Sequence, residues 1–183
     1  MKTFLSPSYC QVAESATHRI EIRYLPKTFQ LLQRAGLDSS AALTAGMLDS
    51  LEKAGGGATG LQFLLRIVPK DSARGPGFDG DLVYGKASGY GSFQEAQQAF
   101  AFGMKSRIWL EADGRKIPLG RYQMEESFGM TRGRSFLLLF PPVSDEKLRS
   151  GFDAALVLDD IVPGLSRKKI QWTFPIGKYD ESI

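Results

Sequence analysis

Cysteine and histidine are almost absent from this chain, each occurring once in 183 residues. The single cysteine, Cys10, excludes an intramolecular disulfide. The single histidine, His18, excludes a His-rich metal site and any mechanism that needs two histidines. No stretch approaches the roughly 20 apolar residues of a membrane-spanning helix. The chain is therefore not a disulfide scaffold, a His-rich metalloprotein or a protein with a helical membrane span.

A strong excess of one charge is also lacking. Lysine and arginine number 23 against 20 acidic residues, which gives a net charge of +3. Such a small excess on a mixed surface is not the basic footprint of a nucleic-acid-binding protein. The hydrophobic fraction of 43% and the charged fraction of 23% are ordinary for a globular domain. We therefore expect one soluble domain with a sizeable core and no nucleic-acid partner.

Alternation of apolar and polar side chains predicts strands, most densely from residue 107 onward. Ile20, Ile22 and Tyr24 alternate with charged neighbours, and the segments 108–111, 116–124, 135–140, 154–158 and 169–174 follow later, with Asp113-Gly114 as a hairpin turn. About eight short strands separated by turn residues are typical of an antiparallel sandwich or barrel. The fold class that we predict is mainly β, an antiparallel β-sandwich of about seven or eight strands.

Two helical insertions are expected in the N-terminal half, near residues 28–53 and 92–103. Leucine and methionine at helical spacing, ended by three glycines, support the first. A capping-box pattern from Ser92 to Glu95 supports the second, although its phenylalanines also suit a strand. The remaining boundaries are a loosely ordered arm over 1–16, a single domain over 17–176 and a tail over 177–183.

Two sequence motifs resemble known binding signatures but lack their structural context. Gly55, Gly57 and Gly60 match the dinucleotide-binding spacing, yet here the glycines follow a helix and precede a strand, which is the reverse of what that site needs. The segment 132–137 resembles an RNA-recognition strand, but Arg134 stands where an aromatic residue should be. We therefore expect no cofactor and no RNA site.

No combination of residues forms a convincing catalytic or metal site. Cys10 and His18 lack a third residue that would orient them for nucleophilic catalysis. Asp71, Asp79 and Asp81 could hold a cation such as calcium, but the EF-hand spacing is missing and a turn role fits the aspartates better. We predict no catalytic, cofactor-binding or metal-binding residues, with an unrecognised carboxylate-based enzyme site as the last alternative.

Aromatic and basic side chains supply the candidate partner-binding residues. Trp109 shares a strand face with charged residues, so it is either covered by a second layer, such as the 28–53 helix, or exposed as an anchor for a protein or a sugar ring. A carbohydrate site would need exposed aromatic rings in one patch, and a charge run beside the last turn could contact an acidic surface. The candidates are Trp109, Tyr122, Tyr90, Arg167, Lys168 and Lys169.

Several segments resemble bacterial envelope lipoproteins of unassigned function. The resemblance lies in Ile108–Leu119, Phe136–Pro141, Trp172–Phe174 and Arg23–Lys27. It implies an immunoglobulin-like sandwich, an extracytoplasmic location after a signal peptide that is absent from this chain, and a lipidated cysteine upstream of it. Membrane association would then come only through that anchor. Cys10 itself is a poor lipid-attachment site, because the bulky Tyr9 precedes it.

The functional expectation is a non-enzymatic, envelope-associated module that binds a partner or packs within an assembly. The first alternative is a carbohydrate-binding sandwich, and the second is the carboxylate-based enzyme. A protein or a glycan is the expected partner, and the sequence does not predict the oligomeric state. A cytoplasmic location is the alternative to the envelope.

Overall fold

The protein is mainly β. The computed structural model describes residues 9–15, 17–34, 36, 50, 60–70, 94–95, 98, 100–125, 133–161 and 169–177. Within these ranges there are nine strands: β1 Cys10–Glu14, β2 His18–Leu25, β3 Gly60–Pro69, β4 Ile108–Ala112, β5 Arg115–Pro118, β6 Arg121–Met124, β7 Arg134–Pro142, β8 Phe152–Asp159 and β9 Lys169–Ile176.

The strands form two antiparallel sheets. The first sheet has the order β1-β2-β3-β7-β6, and the second has the order β5-β4-β8-β9. The turn between β4 and β5 is the Asp113-Gly114 pair, whose φ angles of 50° and 69° lie in the left-handed region that a tight hairpin requires. This turn confirms the hairpin that the sequence predicts.

The segment predicted as one returning strand, 116–124, is divided between the two sheets. β5 ends at Pro118 and pairs with β4, whereas β6 begins at Arg121 and pairs with β7. Pro118 has no backbone N–H to continue a ladder, and the Gly120 N–H donates to the Leu139 carbonyl at 3.0 Å instead. Leu119 and Gly120 therefore carry the chain from one sheet to the other.

The expectation of a loosely ordered arm over 1–16 is wrong for its C-terminal part. Residues 10–14 form β1, which pairs antiparallel with β2 in a register that places Cys10 opposite Arg23. The β1 side chains are mostly small or polar, and two of the five, Val12 and Glu14, are exposed, so the alternation in the sequence is too weak to indicate a strand. Ladder hydrogen bonds to β2 and partial burial of Ala13 stabilise β1 instead.

Helices are short in the described residues. α1 spans Lys27–Arg34 and coincides with the start of the predicted 28–53 helix, most of which lies outside the described residues. Residues 100–102 are helical within the predicted 92–103 insertion and lead to a single 3₁₀ turn, Lys105–Arg107. α2 spans Asp145–Ser150 and was not expected. None of the helices in the described part of the chain is long and apolar enough to span a membrane.

Inward side chains from both sheets share one core. Phe63 on β3 lies with its ring centroid 5.3 Å from that of Phe174 on β9, so the two sheets are in contact through their aromatic residues. The predicted inward residues Ile20, Ile22 and Leu110 have no exposed surface. Complete burial of such a side chain contributes about 1.5–3 kcal/mol. Each sheet therefore has one face towards the core and one outer face, and the position of each candidate residue can be described by the face on which it lies.

Candidate functional site

Trp109 lies on the outer face of the second sheet. Its β4 neighbours Ile108 and Leu110 point into the core, so the alternation of the strand turns Trp109 and Glu111 outward. In the register of the sheet, Trp109 is opposite Pro118 on β5 and Val157 on β8.

Despite this outward position, Trp109 is only 8% exposed. Its indole Nε1 donates a hydrogen bond of 2.9 Å to Glu111 Oε1 on the same strand. The hydrogen bond satisfies the one polar atom of the indole and fixes the orientation of the ring. The Trp109 ring is therefore fixed in position and is not available as an exposed aromatic anchor for a partner.

Two lysines lie over the Trp109 ring. Lys116 Nζ is 3.8 Å from the ring centroid, and Lys169 Nζ is 5.3 Å from it. Both distances are within the range of a cation–π interaction. Lys169 Nζ is also 3.7 Å from Glu111 Oε1. We call these four residues, Trp109, Glu111, Lys116 and Lys169, the Trp109 cluster.

The Trp109 cluster carries a net positive charge. The hydrogen bond from Trp109 is the main reason that the pKa of the Glu111 carboxyl lies below its usual value, and Lys169 and Lys116 add to this effect. Partial burial opposes the shift. Glu111 is therefore a stable anion between two ammonium groups. With two ammonium groups and one carboxylate, the cluster has the charge to attract an anionic group.

Tyr122 does not belong to this cluster. On β6 it is opposite Leu138, a core residue, and it packs against the core. Its hydroxyl donates to the Phe100 carbonyl at 3.0 Å and accepts from the Met104 N–H at 3.4 Å. Burial raises the pKa of Tyr122, and the hydrogen bond from Met104 partly offsets this effect. Tyr122 thus anchors residues 100–104.

Of the six candidates, the structure brings Trp109 and Lys169 together. Tyr90, Arg167 and Lys168 lie outside the described residues. Trp109 points outward from the second sheet, whereas Tyr122 on the first sheet points towards the core. These two rings therefore do not form a shared binding platform.

His18 and Cys10 lie at opposite ends of the β1–β2 pair. Cys10 is opposite Arg23, which is about 17 Å along the strand from His18 at ordinary strand rise. His18 is 5% exposed, and its Nδ1 is 2.9 Å from Thr17 Oγ1. At this separation the two side chains do not contact each other. No group of three metal-ligating side chains occurs in the described part of the chain, and Asp71, Asp79 and Asp81 lie outside it.

Comparison with known proteins shows no family. No family model matches the chain, and no curated protein is similar to it. Among solved structures, a protein of unknown function from Burkholderia pseudomallei is similar at a TM-score of 0.33 and 11% identity, over 87% of this chain and 77% of that chain. A likeness this weak supports no conclusion about fold or function.

Sequence reasoning missed Lys116 and Glu111 as members of the cluster. A signal for both was present, because the two-residue turn at Asp113-Gly114 fixes the hairpin register. That register places Glu111 opposite Lys116, with Trp109 two residues away on the same face. The approach of Lys169 could not be predicted, since it depends on β8 lying between β4 and β9.

Proposed function

We propose that the protein is a non-enzymatic binding or structural module that contacts an acidic protein surface through the Trp109 cluster. The observation that supports this proposal is the position of two exposed lysines, Lys116 and Lys169, over the buried ring of Trp109. The Glu111 carboxylate is the one acidic group of the cluster. The ring and Glu111 hold the ammonium groups in place, which lowers the entropy lost when they bind an anionic group. One carboxylate for two ammonium groups leaves positive charge available to a partner.

We also propose that the two sheets form a β-sandwich. Its support is the single core to which both sheets contribute, with Phe63 and Phe174 in direct contact. An immunoglobulin-like sandwich places strands A, B, E and D in one sheet and C, F and G in the other. The described strands follow a different order, because β1, β2 and β3 are consecutive neighbours in one sheet. Our proposal is therefore a β-sandwich whose strand order differs from that of an immunoglobulin-like domain.

The envelope location is part of the same proposal and rests on the sequence resemblance alone. Fractionation of the producing cells, with immunodetection of the protein, tests it. Recovery in the periplasmic or membrane fraction is expected, and recovery with cytoplasmic enzymes would contradict it.

The carbohydrate alternative receives no support from Trp109. A sugar stacks on an open ring face, whereas Trp109 is 8% exposed and has Lys116 Nζ 3.8 Å from its centroid. Tyr122 points inward, and Tyr90 lies outside the described residues. The proposal includes no enzymatic role, and the acidic and basic groups of the cluster, Glu111 and Lys169, are paired with each other at 3.7 Å.

Site-specific photo-crosslinking in the producing cells tests the protein-binding proposal. A photoreactive residue is placed at Gln171, which is exposed on the β9 face beside the cluster, and, as a control, at the exposed Ser106. A defined adduct from position 171 but not from 106 is expected, and the double variant Lys116→Glu/Lys169→Glu should abolish it. Equal adducts from both positions, no adduct from position 171, or an adduct that survives the charge reversal would contradict the proposal.

A further inference from the structure

The outer face of the first sheet carries three leucines at its centre. Leu64 on β3 is directly opposite Leu137 on β7, and Leu139 lies two residues further along β7. Arg23 on β2 is opposite Leu64, and Arg121 on β6 is opposite Leu139. We call these five residues, Arg23, Leu64, Arg121, Leu137 and Leu139, the leucine–arginine face.

The leucines on this face are only half-buried. Their neighbours along the same strands, including Phe63, Leu65, Phe136 and Leu138, are fully buried in the core, whereas Leu64, Leu137 and Leu139 keep accessible surface. An antiparallel sheet that faces water normally has polar residues on its outer face. A group of apolar side chains there is typical of an interaction surface.

The charges around the leucines are unbalanced. Glu21 is held by Arg19, with an Nε–Oε1 distance of 3.0 Å, and lies 3.9 Å from Arg66 Nη1. Glu14 is held by Lys70 at 2.6 Å. Arg23 and Arg121 form no ion pair with another residue in the described ranges. The two guanidinium groups directly opposite the leucines are thus the ones without a carboxylate partner among the described residues.

A third carboxylate on this side, Glu125, does not neutralise them. Its backbone N–H donates to the Ser135 carbonyl at 2.8 Å, which places it just after the end of β6. Gln123 lies between it and Arg121 on the same face of β6. The positive charge therefore flanks the leucines on two sides, at β2 and at β6.

We propose that the leucine–arginine face binds an acidic, amphipathic segment of a partner protein. Apolar side chains of the segment contact the three leucines, and a carboxylate at each side pairs with Arg23 or Arg121. These arginines lie on strands separated by two others, so their backbones are about 14 Å apart across the sheet at normal strand spacing, with a further offset of two residues along the strands. An arginine can bind a carboxylate through two parallel hydrogen bonds, which gives such a contact its specificity.

A second copy of the chain and a membrane fit this face less well. A two-fold contact brings the same surface of both copies together, which would place Arg23 and Arg121 of one copy against those of the other. Insertion into a bilayer needs apolar side chains that project from the surface, whereas these leucines are half-buried within a sheet. The surface lies on the other sheet from the Trp109 cluster, so this proposal does not depend on that cluster.

Titration of the ¹⁵N-labelled full chain with a synthetic peptide tests the proposal. The peptide is amphipathic, with glutamates flanking a leucine-rich face, and a matched peptide carries lysine in place of glutamate. We expect the glutamate peptide to shift amide resonances of β3, β7 and their flanking strands. The variant Arg23→Glu/Arg121→Glu should weaken binding by about tenfold or more.

The control variant Arg115→Glu/Arg149→Glu has the same change in net charge at exposed positions outside this face, and it should bind normally. Thermal unfolding of each variant verifies that it is folded. The proposal is overturned if the lysine peptide binds equally well, if the shifts occur elsewhere, or if the Arg23/Arg121 variant binds normally. Concentration-dependent dimerisation through this face, or preferential binding to anionic vesicles, would also overturn it.

Discussion

The side chain of Gln11 on β1 donates a hydrogen bond of 2.6 Å to the backbone carbonyl of Thr173 on β9. β1 is an edge strand of the first sheet and β9 is an edge strand of the second. This bond therefore links the two sheets at one margin, between strands that are 162 residues apart in sequence.

Replacement of Gln11 by alanine should lower the free energy of unfolding by about 0.5–1.5 kcal/mol, the net contribution of one hydrogen bond. Urea denaturation measures the change. Gln123→Ala is the matched control, because Gln123 is exposed on an edge strand and its side chain has no hydrogen-bond partner among the described residues. An equal effect of the two substitutions would show that the bond to Thr173 contributes nothing.

Trp109→Ala should destabilise the protein by about 3 kcal/mol, because truncation of a large buried ring leaves a cavity and removes its contacts. Phe102, which is 79% exposed, provides the control, and Phe102→Ala should change the free energy of unfolding by less than about 0.5 kcal/mol. Chemical denaturation followed by far-ultraviolet circular dichroism compares the two. A Trp109→Ala variant as stable as Phe102→Ala would mean that the ring is not held as described.

The pKa of Glu111 should rise towards its ordinary value of 4.5 in Trp109→Phe, because the indole hydrogen bond is the largest cause of its lowering. A pKa lowered in the folded state means that the ionised carboxylate favours folding. This contribution is present above the unfolded-state pKa and is lost as the pH falls through the folded-state pKa, so its window lies in acid below about pH 4.5.

Carboxyl ¹³C NMR titration measures this change. Glu14 is the internal control, because its pKa is lowered chiefly by Lys70 and should not respond to Trp109→Phe. An unchanged pKa of Glu111 in Trp109→Phe would show that the indole hydrogen bond does not cause the lowered pKa.

Gly177→Ala should cost about 3 kcal/mol or more, for two reasons. Gly177 has a φ of 78°, and a Cβ there would overlap the carbonyl oxygen of Leu148, which belongs to α2. Gly114 is the matched control, since its φ of 69° carries the same backbone cost but no atom lies within 4 Å of its added Cβ. Gly114→Ala should therefore cost only about 1 kcal/mol, and thermal unfolding separates the two. Similar losses at both positions would contradict the close approach of Gly177 to α2.

The sequence predicts the strands in which apolar and polar side chains alternate clearly. It also predicts the Asp113-Gly114 turn, whose residues adopt left-handed backbone conformations readily. Ile20 and Ile22 are buried as expected, and Asp113-Gly114 forms the hairpin. β1 was missed because its stability comes from backbone pairing with β2 and not from a row of large apolar side chains. α2 was missed because it is short, and its signals are limited to the Ser144 cap and Gly151.

The candidate site is predictable in part. The register that the Asp113-Gly114 turn sets brings Trp109, Glu111 and Lys116 to one face, and the sequence alone is sufficient for that inference. Lys169 reaches the ring only because of the order of strands in the second sheet, which no local pattern encodes. The leucine–arginine face is not predictable from any local pattern, because Leu64, the two β7 leucines and the two arginines come from distant parts of the chain and meet only through the order of strands in the first sheet.

The two-residue passage at Leu119-Gly120 has a consequence for the motions of the protein. Leu119 is 1% exposed within the shared core, and Gly120 is bonded to β7, so neither residue can serve as a hinge. Opening one sheet away from the other at this connection would expose Leu119 and break the bond from Gly120 to β7, so the connection between β5 and β6 opposes such a motion. Slow amide hydrogen exchange in β4 and in β7 should therefore report the same opening free energy, that of global unfolding.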